Sequence, residues 1–265
     1  MQNAGCGMRN AGCGMRNSLA VWFALAGAML AAQSCSAWRA SFEKGVDAYR
    51  HARYGEAVEN LERAAASNPG SAEVRVYLAN SYLKQYKPGS SESSKAEENL
   101  RRALDIEPSN IAALDSLAWL QMNEALNKTG TARIALLDQA AHSYRKLTSL
   151  DPQSSKAFYS LGLVTWLKAH ERLVGARARL GLEPDDEGPI SDVSVRRELT
   201  PIYDDAIRQL QRALEIDPKS GDAMLAMSLC LTDGAELASD DEGFAHTMAE
   251  AREWARKSRG SAPAH

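Results

Sequence analysis

The side chains best suited to chemistry are few in this chain and widely scattered. Five histidines, His51, His142, His170, His246 and His265, could ligate a metal or move a proton. No two of them stand four residues apart, the spacing that would place both on one helix face. The acidic run Asp185, Asp186, Glu187 could attract a cation, but it lacks the alternating oxygen ligands of a calcium loop and reads as a solvated charge run. Cys6, Cys13, Cys35 and Cys230 include no CxxC pair and are too few for a disulfide framework. HExxH, GxSxG, the P-loop and GxGxxG are all absent. The sequence therefore predicts no enzyme, no metal and no cofactor.

The organising pattern lies elsewhere. LQRALEIDP at Leu210–Pro218 has three relatives: LERAAASNP at Leu61–Pro69, LRRALDIEP at Leu100–Pro108 and YRKLTSLDP at Tyr144–Pro152. In each, an alanine stands four residues before the first letter: Ala57, Ala96, Ala140, Ala206. The shared frame is A-x3-[LY]-x2-[AL]-x4-P. Positions i, i+4 and i+7 share one helix face, and the proline ends that helix. About sixteen residues after each proline comes a second apolar segment with a small residue beside a large one, as in Leu78-Ala79, Leu117-Ala118, Leu161-Gly162 and Met227-Ser228. Each unit is thus a pair, helix A then helix B. Neither can bury its stripe alone, so the pairs must stack.

This frame resembles the helix-B signature of the tetratricopeptide repeat, a helix–turn–helix unit of about 34 residues. The resemblance covers most of the chain from about Arg39 and implies an all-α, right-handed solenoid of about five pairs over 39–258. The prolines stand 39, 44 and 66 residues apart, so the second, third and fourth units carry insertions, the fourth a long one. The third copy has Leu147 where alanine is usual, and the fifth pair, from Gly221 to about Ser258, lacks a closing proline.

The insertions predict local detail. Ser94 with Glu97 reads as a capping box opening helix B of the second pair. Asn127–Gly130 closes helix A of the third, with Thr131 as the following cap; Asn127-Lys128-Thr129 is also a sequon, read here as a turn. Helix A of the fourth pair begins near Ser155 and continues past Trp166 to Leu173, Val174 and Leu180. It overhangs the stack by several turns, placed to close over the inner face or to dock a second subunit. Glu183–Val193 is a breaker-rich loop. Thr200 then caps helix B, with Pro201 at its first position. Residues 259–265 form a disordered tail.

In tetratricopeptide repeats the concave groove is lined mainly by helix A, and partners lie along it. Carried over by alignment, the groove positions include Tyr49 and Arg50; Val76, Tyr77, Asn80 and Lys84; and Asp115, Trp119, Met122 and Asn123. The later pairs add Tyr159, Ser160, Leu163, Trp166, Leu225 and Leu229. Asn80 and Lys84 match part of a carboxylate clamp whose other members are missing. Tyr77, Trp119, Tyr159 and Trp166 are expected to form an aromatic track. Trp119 and Trp166 could equally belong to the core, as Cys230 does on its apolar face.

The N-terminal residues carry a different signal. Asn3–Arg9 and Asn10–Arg16 are the same heptapeptide, NAGCGMR, so the start is Met1, Met8 or Met15, with Met15 the sensible one. Arg16 followed by the apolar stretch Leu19–Ala32 suits a signal peptide and is short for a membrane span. Ala32-Gln33-Ser34-Cys35 resembles a bacterial lipoprotein box ending residues 1–35, which implies diacylglycerol on Cys35. Cleavage after Ser34 or Ala37, giving a secreted protein, is the alternative, and an uncleaved anchor a third.

Composition fits a helical protein: 45% apolar, 25% charged, 6% aromatic, net charge −3. No basic stripe favours nucleic acid. The expected function is protein–protein interaction in the bacterial envelope, periplasmic or outer-membrane-anchored, with a peptide or protein segment in the groove. A structural accessory lipoprotein of an outer-membrane assembly or secretion complex is the second reading. A carbohydrate-binding or catalytic protein using the 169–200 insertion is the third. Membrane contact is expected only through Cys35, and self-association through the insertion. Cys35→Ala should abolish metabolic labelling by a fatty-acid analogue and block lipoprotein-type processing; a wild type that takes up no label and fractionates as free soluble protein would refute lipidation.

Overall fold

A computed structural model describes residues 38–183 and 186–260; the leader, Cys35 and residues 261–265 lie outside them. Among the described residues the chain forms ten helices and no strand. They fall into five consecutive pairs: α1 (residues 38–50) with α2 (Tyr54–Ser67), α3 (Ala72–Leu83) with α4 (Ser91–Ile106), α5 (Ile111–Ala125) with α6 (Gly130–Leu150), α7 (Ser155–Leu180) with α8 (Val193–Ile216), and α9 (Gly221–Ala235) with α10 (Asp241–Gly260). Each packs mainly on its neighbours in order, giving an α-solenoid.

The repeated frame is the core. Ala57, Leu61 and Ala64, and their counterparts in α4, α6 and α8, are all 4% exposed or less. A fully buried leucine contributes about 1.5–3 kcal/mol. The alanines between such leucines let the A helix come close. A Cβ added at Gly45 would lie 2.6 Å from Leu61 Cγ, and one at Gly162 would lie 2.7 Å from Leu210 Cγ. The equivalent positions in the other pairs hold Ala79, Ala118 and Ser228, also buried. Leu147 is accommodated in the same interior.

The closing prolines act through the residue before them. Asn68, Glu107, Asp151 and Asp217 share one non-helical conformation, with φ from −137 to −126° and ψ from 77 to 87°. The steric demand of the following proline excludes the helical region there. Two residues beyond each proline stands an N-cap, Ser71, Asn110, Ser154 or Ser220, whose side chain accepts the N–H three residues on. One short turn is thus built four times.

Three expected boundaries shift. Helix α4 opens a turn earlier than Ser94, on Ser90, whose Oγ accepts Ser93 N–H at 3.3 Å. Helix α6 opens at Gly130, with Thr131 inside it; the cap is supplied by Glu171 of α7, which accepts the Gly130 N–H. Helix α8 begins at Val193, so Pro201 lies inside it rather than at its start. Proline costs a helix interior about 3 kcal/mol. Here Asp192 caps the first turn by accepting Ser194 and Val195 N–H, and Val195, Leu199, Tyr203, Ala206 and Leu210 form one unbroken buried stripe across the proline. Tertiary burial outweighs the break. At the other end, α10 runs through Gly260, beyond the expected start of the tail at 259.

The fourth insertion is an extension of both helices, 26 and 24 residues long. Gly181 ends α7 in the left-handed region at φ 70°, and its N–H and that of Leu182 satisfy the last carbonyls. Ala169, Leu173 and Ala176 pack against Ile190, Val195 and Leu199. Among the described residues no helix is long and apolar enough to cross a membrane.

The close A–B approach makes a stability prediction. Gly162→Val and Ala206→Leu should each overpack the α7–α8 contact and cost about 1–3 kcal/mol, read as a drop in thermal midpoint. An unchanged midpoint in both would refute this packing register.

Candidate functional site

The A helices bring their inner faces together around one cavity of ≈ 610 Å³. It is lined from every pair: Tyr49 of α1; Asn80, Leu83 and Lys84 at the end of α3; Asp115, Ser116, Trp119 and Met122 of α5; Ser155, Lys156, Tyr159, Ser160 and Leu163 of α7; and Asp217, Ser220 and Asp222 around the start of α9. Tyr144 of α6 contributes from between them.

Polar contacts across pairs hold the lining in place. Ser116 Oγ–H donates to Asn80 Oδ1 at 2.8 Å, joining pairs two and three. Lys156 Nζ reaches Asp115 Oδ2 at 2.7 Å, joining pairs three and four. Lys84 caps α3, while Asp217 and Asp222 flank the opposite, α9 end of the cavity. Asp217 is partly occupied, accepting the Lys219 N–H at 3.1 Å. Burial, and then the carboxylate of Asp222, push the Tyr159 hydroxyl above its ordinary range, so it stays a hydrogen-bond donor at neutral pH. The groove therefore offers a donor-bearing aromatic, an exposed indole and charges of both signs.

Six of the singled-out groove residues line the cavity: Tyr49, Asn80, Lys84, Trp119, Met122 and Tyr159. Trp119 is 39% exposed and rests edge-on against Tyr86 at 5.6 Å, so it is held but open to the groove. Three do not line it. Tyr77 turns back to Phe42 and Tyr49, with ring centroids at 5.6 and 5.9 Å. Asn123 Nδ2–H donates to the Trp119 carbonyl at 2.7 Å. Trp166 packs on the pair-four and pair-five core and donates Nε1–H to Asp233 Oδ2 at 2.8 Å. The expected four-membered aromatic track is therefore reduced to Trp119 and Tyr159, joined at the pair-one end by Tyr49. Of the wider positions, Asp115, Ser160 and Leu163 line the cavity. Arg50, Val76, Leu225 and Leu229 do not, and Val76 is in the core.

The overhang does not lie over this cavity; no lining residue falls in 169–200. It is held at two flanks instead. Glu171 pairs with Arg133 at 2.7 Å on the pair-three side. Arg177 pairs with Glu236, and Ile190 N–H donates to the Glu236 carbonyl at 2.7 Å, on the pair-five side. Sequence reasoning missed Ser155, Lys156, Ser220 and Asp222. Their signal was the N-cap two residues past Pro152 and Pro218, Ser154 and Ser220, at or beside which these residues stand.

Among the described residues no group of three or more His, Cys, Asp or Glu side chains is arranged to hold a metal. Cys230 is buried, and burial pushes its thiol well above the ordinary range. Asp186 Oδ2 accepts the Glu183 N–H at 2.7 Å, a contact within its own loop; Asp185 lies outside the described residues.

No protein-family model matches the sequence, and no curated protein does. Solved structures of similar fold include a crystal structure of MamA protein, 15% identical over 85% of this chain and 91% of that one, with a TM-score of 0.56. The fold is a tetratricopeptide-like solenoid. MamA MSR-1 (18% identity, 84% and 95% coverage, TM-score 0.55) and MamA 41-end from Desulfovibrio magneticus RS-1 (12%, 83% and 96%, 0.55) match it similarly.

The two tryptophans now separate. Trp166→Ala should cost about 3 kcal/mol, since it removes packing and leaves Asp233 short of a donor. Trp119→Ala should cost only about 1 kcal/mol. Equal losses in chemical denaturation would contradict this placement.

Proposed function

We propose that the chain is a protein-interaction module that holds an extended or helical segment of a partner along the A-helix groove. The observation that carries this reading is the single cavity touching helix A of all five pairs. A segment lying there meets every pair at once, whereas a compact small molecule would fill only part of it. Trp119 and Tyr159 supply amphipathic anchors near the middle, where enclosed aromatics carry most binding energy. The exposure of Trp119, which its own fold does not bury, supports the same reading.

The leader and the lipoprotein-like box support an envelope setting, with the module periplasmic or tethered at a membrane through Cys35. Cys35 precedes the start of α1 by three residues in the sequence.

The test is capture from a crosslinked native envelope followed by affinity measurement on the identified segment. Trp119→Ala should weaken binding about tenfold or more. Glu98→Ala, a change in an exposed α4 ion pair, should leave it unchanged. A partner bound equally well by the Trp119 variant would place the interaction elsewhere.

A further inference from the structure

The groove-facing stripe of α7 continues past Leu163 to Trp166 and His170, and there it meets α9. Asp233, with a side chain only 16% exposed, accepts Trp166 Nε1–H and His170 Nδ1–H, each at 2.8 Å, and the Tyr203 hydroxyl lies 3.4 Å away. Three helices, α7, α8 and α9, thus converge on one carboxylate.

The charged and titratable groups near the imidazole come from four helices. Arg133 of α6 and Glu171 of α7 pair with each other. Arg177 of α7 pairs with Glu236, the residue capping α9. Tyr203 of α8 and Asp233 of α9 complete the set. Both glutamates have an arginine; Asp233 has none, and among the described residues its ion-pair partner is His170. Asp233 stands three residues before Glu236, whose carboxylate and carbonyl hold Arg177 and the loop residue Ile190. Both contacts lie within one helical turn of Asp233.

We propose that His170 and Asp233 form a pH-operated latch fixing the C-terminal helix pair to the overhang, firm while His170 carries its proton and slack once the proton is lost. Hydrogen bonding to Asp233 raises the His170 pKa above its ordinary value, opposed by burial. A raised folded-state pKa contributes stability that is complete below the unfolded value, about 6.5, and is lost as pH rises through the folded value. Glu171 is pulled down chiefly by its bond from Arg133 and titrates in acid. Glu236 is pushed up by burial against the pull of Arg177, the same direction as His170, so a variant must separate them.

The test needs no partner. Amide hydrogen exchange of the full chain, corrected for intrinsic rates, is followed from about pH 5.5 to about pH 8.5 beside an NMR titration of the His170 ring. In the wild type, protection in α9, α10 and residues 186–192 should fall severalfold as pH rises, with the midpoint of His170 itself, while α2–α4 stay level. His170→Gln, a donor without a titrating charge, should flatten the profile; Glu236→Gln should keep its slope. A level wild-type profile, a slope surviving in His170→Gln, or a midpoint apart from that of His170 overturns the latch. If His170→Gln fails to fold, the wild-type midpoints alone decide.

Discussion

Everything in this molecule depends on how closely an A helix can approach its B helix. That distance is set by a small residue on one side and, on the other, a leucine between alanines or, in the third pair, Tyr144 between Ala140 and Leu147. Gly45 over Leu61 and Gly162 over Leu210 leave no room for even a methyl group. With the approach fixed, each pair presents a flat flank to the next, and stacking follows. The stack in turn gathers the inner faces of α1, α3, α5, α7 and α9 into one groove. A looser pair anywhere would splay its neighbours and divide the cavity.

The parts of the fold legible in the sequence are those governed by sterics within a few residues. The Ala57–Leu61–Ala64 frame and its copies are recognisable because a buried helix face tolerates little else, and the prolines because they exclude one backbone region. Less legible were helix starts decided by distant groups. Thr131 looked like a cap, but the carboxylate that caps α6 comes from Glu171, forty-one residues beyond the Gly130 N–H it accepts. Pro201 looked like a beginning, yet Val195 and Leu199 have buried partners on α7 that extend α8 past it. Local preference lost to burial at both places.

The site was legible to a similar depth. Repeat position tells which helix face turns inward, and Tyr49, Asn80, Lys84, Trp119, Met122 and Tyr159 do line the cavity. It does not tell whether an inward side chain meets solvent or another side chain. Tyr77 is claimed by Phe42 and Tyr49, and Trp166 by Asp233, a residue sixty-seven positions later. Their neighbours come from other pairs, α1 for Tyr77 and α9 for Trp166.

That extra length changes the statics of the stack. A solenoid of equal units behaves as a row of bricks, each bonded only to the next, and any brick at the edge can come away without consulting the third. The α7–α8 extension works as a buttress instead. One shaft is keyed into the head of α6 by Glu171, and its far side is keyed into the foot of α9 by Arg177 and Ile190. Pair four is thereby joined to both of its neighbours by largely buried ion pairs as well as by packing. The groove spans the tied pairs and the earlier ones alike, from Tyr49 to Asp222, so a segment lying in it would share the load of that tie.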